Sequence, residues 1–436
     1  MSKNSCVIYA PIDTLSGYGA RARDTVKSII QLKKDEWDIK IIPCNWGNTP
    51  THFIEENPEW QFLNQYTIQG QLTSQPDIFI WITIPTEFQK VGKFNIGITA
   101  GLETDVVPGD WIEGCNRMDL VLVSSEHSKK AFLNSKYQRI NNQTKQVEGN
   151  IEIQTPIEVI FEGIDTNVYK HLENPNKEVG DLDTIPEQFC YLFVGHWLTG
   201  DMGEDRKNVG LLIKAFLETF KNKKHTPALV LKTSIVGPSY MDRDEILKRI
   251  AKIKETVKGY SLPNIYLLHG EFSDEEMNEI YNHPKVKAMI SLTKGEGFGR
   301  PLLEFTQSKK PLIVSNWSGH LDFCNPEFTV LIGGTLTNVH PSAANQWLMK
   351  EAKWFSPDLG QIGKNLRDVY ENYKDYTVNG KRLGFYTKTN FSFEKMNEKM
   401  AEYLKRVPEF PKQMALKLPQ LKKIELPKLQ KVENNG

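Results

Sequence analysis

The 436-residue chain is 39% apolar and 25% charged, and its 54 lysines and arginines are matched by 54 aspartates and glutamates. The length suggests two domains of roughly 180 to 200 residues each, and a net charge of zero removes any global pull toward nucleic acid or anionic lipid. Apolar runs such as PDIFIWITIP (76–85) fall well short of the roughly 20 residues that span a bilayer, which excludes an integral membrane helix there.

The opening MSKNSCVIYAPI enters a strand-like run at once. It has neither the pattern of a secretion signal nor that of a transit peptide, so a cytoplasmic location is expected. β-Branched and aromatic runs of strand length then recur at 6–12, 38–46, 77–84, 94–101, 120–125 and 157–164. Continuous apolar runs, as opposed to alternation, suit parallel strands covered by helices on both faces. The polar stretch 134–150 interrupts this half as a surface excursion, and 172–188, rich in charge, Pro and Gly, reads as a linker.

A second series follows at 190–197, 228–236, 264–271, 287–293, 311–316 and 328–334, with helices expected over 208–220 and over 273–282, which opens on a Ser-x-x-Glu capping box. The fold expected is therefore α/β, two doubly wound Rossmann-like domains facing across a cleft. The first domain spans 1–171, the linker 172–188 and the second domain 189–385. A C-terminal helix within 386–405 is expected to cross back to the first domain. The basic, Pro- and Lys-rich tail 406–436 holds the imperfect repeat KLPQLKK and ELPKLQK, read either as a solvated appendage or as a docking strip for an anionic partner. The five cysteines, Cys6, Cys44, Cys115, Cys190 and Cys324, form no Cys-x-x-Cys pair and are expected as free thiols.

Ligands of doubly wound sheets sit at the carboxyl ends of the strands. One stretch there carries the densest chemistry, KGEGFGRPLLEF (294–305). The strand before it should end near Thr293, and Pro301 suits the first turn of a helix. The amides of Gly297, Phe298 and Gly299 then aim into the crevice, where they suit a diphosphate or an electronegative sugar oxygen. Glu296 before the turn and Glu304 about one helical turn later can each accept hydrogen bonds from paired hydroxyls. A plain turn followed by a surface glutamate remains the alternative.

EGFGRPLLE resembles the paired-glutamate motif of retaining, nucleotide-sugar-dependent GT-B glycosyltransferases, those of glycosyltransferase family four (group 1). The resemblance gives Glu296 to the donor sugar, Glu304 to the nucleotide ribose and Gly297, Phe298 and Gly299 to the diphosphate. Arg300 stands where the family is often apolar, and either adds charge near the diphosphate or points to solvent. SGYGARARDTVKSI (16–29) is similar to the family's Gly-rich loop, with Gly17 and Gly19 allowing close backbone approach. DRKNVGLLIKAF (205–216) resembles its basic motif, so that Arg206 and Lys207 would neutralise the leaving diphosphate. His196 replaces an arginine common in the family and is either a hydrogen-bond donor to phosphate or a packing residue. HGEF (269–272), with Gly270, lies where the family holds the nucleobase through backbone, and Ser318, Gly319 and His320 lie where it borders the donor sugar.

The family needs no metal or other cofactor, and the Asp-x-Asp pairs at 181–183 and 242–244 read as solvated carboxylates. The expected activity is transfer of a hexosyl or pentosyl group, with retention, from a nucleotide-diphosphate sugar to a hydroxyl. The acceptor is a glycan, a lipid carrier, a protein or a modified DNA base. Glu103, in GLETDVVPGDW (101–111), is the candidate for acceptor contact, with a loop carboxylate or cap as the alternative. The basic segment 126–139 either touches a membrane surface or polyanion or is a solvated helix face. Lys, Asn and Ile richness points to an AT-rich bacterial or phage genome. A GT-B phosphorylase or epimerase, and a catalytically silent nucleotide- or sugar-binding protein, are the competing readings.

Overall fold

A computed structural model describes residues 3–411 apart from positions 48, 71, 142, 236 and 238. The first lobe is built on a six-stranded parallel sheet of β1 (Asn4–Ala10), β2 (Trp37–Pro43), β3 (Ile78–Ile82), β4 (Phe94–Ile98), β5 (Leu120–Val123) and β8 (Ile157–Val159), in the order β2-β1-β3-β4-β5-β8. The polar excursion folds as an antiparallel hairpin, β6 (Tyr137–Ile140) and β7 (Val147–Ile151), before the chain returns to the sheet. The second lobe repeats the plan with β9 (Cys190–Val194), β10 (Ala228–Lys232), β11 (Ile265–Leu268), β12 (Val286–Ser291), β13 (Leu312–Ser315) and β14 (Val330–Ile332), ordered β11-β10-β9-β12-β13-β14. A hairpin of β15 (Gly334–Asn338) and β16 (Lys353–Pro357) follows. Two doubly wound α/β domains are thus present, as the apolar runs indicate.

Several strands stop short of the apolar runs that announce them. Ile160, Phe161 and Ile164 are buried after β8 without extending it, because burial in a loop selects the same side chains as burial in a strand. Helix Val209–Phe220 shows the reverse clarity: Val209, Leu212, Ile213, Phe216, Leu217 and Phe220 recur at helical spacing and all are buried. Helix Asp274–Asn282 opens on the expected capping box, with Ser273 Oγ accepting from Glu276 N and the Glu276 carboxylate accepting from Ser273 N.

The boundary expected at 385 falls inside helix Tyr373–Asn390. Helix Phe393–Leu404 lies on the first lobe: Phe393 N donates to Ile164 O at 2.8 Å, and Tyr403 Oη to Val159 O at 2.9 Å. Only 406–411 of the basic tail falls within the described residues; there Phe410 packs against the first lobe's core, with Lys93 over its ring. No helix among the described residues is long and apolar enough to cross a membrane. The five cysteines are free thiols, four of them buried.

In the second sheet the strand order reverses direction between β9 and β12. A crevice opens at such a switch point, because the connections on either side leave for opposite faces. The first sheet reverses between β1 and β3. The lobes meet directly where β5 ends, with Ser124 Oγ donating to Gly297 O at 2.9 Å and Glu126 N to Asp322 at 2.9 Å.

Candidate functional site

The carboxyl ends of β9 and β12 assemble the first half of the site. After β9 the chain runs through a loop to Asp205, Arg206, Lys207 and Asn208. Asn208 adopts a left-handed conformation (φ 59°) and begins helix Val209–Phe220, and the Asp205 carboxylate accepts from Val209 N at 3.2 Å. Burial raises the Asp205 pKa to about 6 against those helix amides. Arg206 O accepts from Lys294 N at 2.8 Å, which ties this basic pair to the segment leaving β12.

The result is a compact alternation of charge. Lys207 Nζ lies 2.5 Å from Glu296 Oε1, and Arg206 Nη1 lies 3.5 Å from Glu296 Oε2 and 2.9 Å from Glu103 Oε1 of the other lobe. Burial alone would raise the Glu296 pKa, but Lys207 and then Arg206 overcome it and hold the carboxyl below its ordinary value. Lys207 is drawn down by burial while Glu296 pulls the other way; two cations around one carboxylate favour the ion pair. Gly195 (φ 157°) precedes this cluster, and a Cβ there would meet the Phe193 ring at 3.2 Å.

The glycines of the turn are set by close contacts. A Cβ at Gly295 would meet Glu103 O at 2.0 Å, one at Gly297 would meet Ala100 O at 2.9 Å, and one at Gly319 would meet Gly297 O at 2.1 Å. Gly299 (φ 96°) begins the seven-residue helix Arg300–Thr306. Ser318 Oγ accepts from Glu296 N at 2.9 Å, and Glu296 O accepts from Gly319 N at 2.9 Å. The Phe298 ring is a core element, 5.1 Å from Phe323, so only its backbone is available to a ligand. His320 is fully buried and hydrogen-bonded to Ser315 O at 2.7 Å, a structural position behind the turn.

At the far end of the turn Glu304 is buried, and its Oε1 accepts from Arg300 Nε at 2.9 Å. Burial raises its pKa to about 7, Arg300 opposing and Asp274 adding to the rise. Arg300 itself does not point to solvent. Its Nη1 lies 2.5 Å from Asp24 Oδ2, on helix Gly17–Lys33 of the first lobe.

Residues 200–344, which hold Arg206, Lys207, Glu296 and Glu304, match the family described as glycosyl transferases group 1. This stretch is therefore similar to a group 1 glycosyltransferase domain, over 145 of the 436 residues. No curated protein is a significant match to the sequence. Among solved structures, a glycosyltransferase from Rickettsia africae ESF-5 is similar, with a TM-score of 0.61 at 15% identity over 93% of this chain and 99% of that one. Anabaena Alr3699/HepE in complex with UDP-glucose is similar at a TM-score of 0.59 and 12% identity, over 92% of this chain and 99% of that one. Sucrose-phosphate synthase from Thermosynechococcus elongatus gives 0.57 at 11% identity, over 93% and 99%. These likenesses establish the two-lobed GT-B fold.

The remaining candidate residues divide between cleft and scaffold. His196 stands at the carboxyl end of β9 with Nδ1 3.0 Å from Ser234 Oγ. Burial of its ring, then Lys207 and Lys232, lower its pKa from 6.5, so near pH 7 it is a neutral hydrogen-bonding group and not a replacement cation. Gly270 and Gly17 have open space where a Cβ would stand, whereas a Cβ at Gly19 would meet Thr14 O at 2.1 Å. Gly19 is therefore required by packing at the start of its helix, where Ser16 Oγ accepts from its amide at 2.9 Å. Glu103 belongs to the charge cluster through Arg206 and is not isolated on the acceptor side.

Asp242 departs from the sequence expectation of a solvated carboxylate. It is buried, accepts from Ile235 N and pairs with His269 at 2.9 Å, and so fixes the loop after β10. A groove of about 420 Å³ between helices Val209–Phe220 and Leu359–Glu371, lined by Met202, Leu211 and Leu359, contains none of the candidate residues. Asp24, Ser124 and Asp322 carry contacts between the lobes that sequence reasoning did not single out, and no local motif marks them.

Proposed function

We propose that the protein is a retaining glycosyltransferase that moves a sugar from a nucleoside-diphosphate sugar to a hydroxyl acceptor without a metal ion. The observation that carries this reading is the Lys207–Glu296–Arg206 cluster at the β9/β12 switch point, inside the group 1 domain. Counted with Glu103, which pairs with Arg206, the cluster is neutral and preassembled. An arriving diphosphate offers Lys207 and Arg206 a better partner, and Glu296 is then released toward the donor sugar's hydroxyls. Similarity to a structure that holds UDP-glucose supports a nucleotide sugar as donor.

In the reaction the bond between the sugar's anomeric carbon and the phosphate oxygen breaks, and its electron pair leaves with the diphosphate. Lys207, Arg206 and the amides of the Gly297–Gly299 turn stabilise that growing charge more than they stabilise the intact donor, which is what lowers the barrier. The acceptor hydroxyl attacks from the face the diphosphate is leaving and gives its proton to the departing phosphate oxygen, so the configuration is retained. Glu304 holds the ribose at the other end of the turn.

The test is a thermal-shift panel of UDP, GDP, ADP, dTDP and their sugar conjugates, in which a ligand at a hundredfold over its Kd stabilises by about 2.7 kcal/mol. Donor turnover is then followed with glycan, lipid-carrier, peptide and hydroxymethylated-DNA acceptors. A parent protein stabilised by none of the nucleotides, or a Lys207→Ala variant that turns over donor as the parent does, defeats the reading. Phosphate-dependent or acceptor-free turnover identifies a phosphorylase or an epimerase instead.

A further inference from the structure

Arg300 is the first residue of a helix only seven residues long, yet its guanidinium joins both lobes. Nε reaches Glu304 Oε1 at 2.9 Å and Nη1 reaches Asp24 Oδ2 at 2.5 Å. Asp24 is 9% exposed and Glu304 8%. A planar guanidinium held by two carboxylates on different lobes has its orientation fixed at both ends. Both contacts exist together only when the lobes are closed.

The surroundings leave few substitutes. Helix Gly17–Lys33 contributes Arg21, paired with Glu162 at 3.6 Å, and Arg23, whose guanidinium lies 3.3 Å over the Phe53 ring and donates to Ile12 O and Thr14 O. Helix Asp274–Asn282 contributes Asp274, which accepts from Tyr169 Oη at 2.9 Å, and Tyr281, whose Oη lies 3.4 Å from Glu304 Oε2. Glu296, at the other end of the turn, is occupied by Lys207. Among the described residues Arg300 is the cation in contact with Glu304, and its second arm is committed to the opposite lobe.

We propose that Arg300 is a positioning residue for Glu304 and that Asp24 in turn positions Arg300, so that closure of the lobes and the setting of the ribose-binding carboxylate are one event. The inference rests on the reading of Glu304 as the ribose ligand. Its consequence is that an aspartate on the acceptor lobe, touching no part of the nucleotide, controls nucleotide affinity. By linkage, nucleotide binding then favours closure by the same factor.

The test uses the full chain at pH 8 with UDP, GDP, ADP and dTDP, by calorimetry, repeated for the best-binding nucleotide at a series of lower pH values, together with small-angle scattering with and without nucleotide. Asp24→Asn is expected to weaken the best-binding nucleotide about tenfold, Arg300→Met by about ten- to fiftyfold, and the double variant no more than Arg300→Met alone, since coupled groups do not add. Asp24→Glu restores affinity to within about threefold, and the nucleotide-dependent compaction seen for the parent and Asp24→Glu is lost in Asp24→Asn. Arg300→Lys, a cation without the second arm, behaves as Asp24→Asn and guards against a variant that merely misfolds. The acid limb of nucleotide affinity moves to higher pH in Arg300→Met, a shift that lost packing alone does not produce. Asp24→Asn binding or compacting as the parent does, or losses that multiply in the double variant, overturn the inference while the glycosyltransferase reading stands. A parent that binds none of the four nucleotides overturns both.

Discussion

Glu296 and Glu304 stand at the two ends of one turn, are 7% and 8% exposed, and are held in opposite electrostatic conditions. Two cations flank Glu296 and keep its carboxyl below its ordinary value; one cation, shared with Asp24, serves Glu304, whose pKa rises to about 7. Burial is the same, so the nearby charges decide the difference, two cations at Glu296 against one cation opposed by Asp274 at Glu304. The Glu296 end is a preassembled ion cluster whose cations the proposed function assigns to the diphosphate. The Glu304 end rests near the midpoint of its titration, where a ligand or a change in lobe position can set its state. Such uncompensated groups are tolerated where a ligand completes them.

Removing the cation that distinguishes the two ends breaks the comparison most severely. Lys207→Ala leaves Glu296 with Arg206 alone and takes one positive charge from the leaving diphosphate. Donor turnover should fall by about a hundred- to a thousandfold, measured as release of free nucleoside diphosphate. Glu304→Gln strikes the other end. Losing charge-assisted hydrogen bonds to a ribose should weaken nucleotide binding about ten- to a hundredfold by calorimetry, with a smaller change in kcat than in KM. If Glu304→Gln lowers kcat as far as Lys207→Ala does, the division of labour along the turn is wrong.

The pH dependence sharpens the same contrast. In the proposed function Glu304 binds hydroxyls as an acceptor in its ionised form, so with a pKa of about 7 in the free protein, nucleotide affinity should decline as pH falls from 7 to 6. The decline approaches about tenfold per pH unit on the acid side, and Glu304→Gln should flatten it. A profile identical in parent and variant would assign the loss to the nucleotide's own phosphate.

The parts of the site legible in the sequence are those whose chemistry is local. The spacing from Glu296 to Glu304, the glycines between them and the Arg206–Lys207 pair ahead of a helix are each visible in about a dozen residues, and the structure places Glu296 against Lys207 and Arg206. Asp24 lies far from Arg300 in sequence, and no periodicity in helix Gly17–Lys33 distinguishes a cleft aspartate from a surface one. The position of Glu103 after β4 marks it as a cleft carboxylate, but its pairing with an arginine of the opposite lobe exists only once the lobes meet and has no local signal. Hairpin β15–β16 has no sequence signal because β15 is exposed along its whole length and carries no buried stripe.

The smallest effect expected is also the one that opposes the two glutamates most directly, because it concerns the sign of a stability change. The folded-state pKa of Glu304 lies above its ordinary 4.5, so its contribution to stability is full below about 4.5 and is lost as pH rises through about 7. At pH 8 its charge therefore burdens the fold. Glu304→Gln should raise Tm by a few degrees at pH 8 and bring little gain at pH 5, where the carboxyl is neutral in the fold. Glu296 runs the other way: its folded-state pKa is depressed, so its contribution is present above the ordinary 4.5 and lost as pH falls. Glu296→Gln should lower Tm by roughly 5 °C at pH 8, because Lys207 is left buried without its partner. Calorimetric scans of both variants at pH 8 and 5 decide the matter, and shifts of the same sign at pH 8 would mean that the two ends of the turn are not electrostatically distinct.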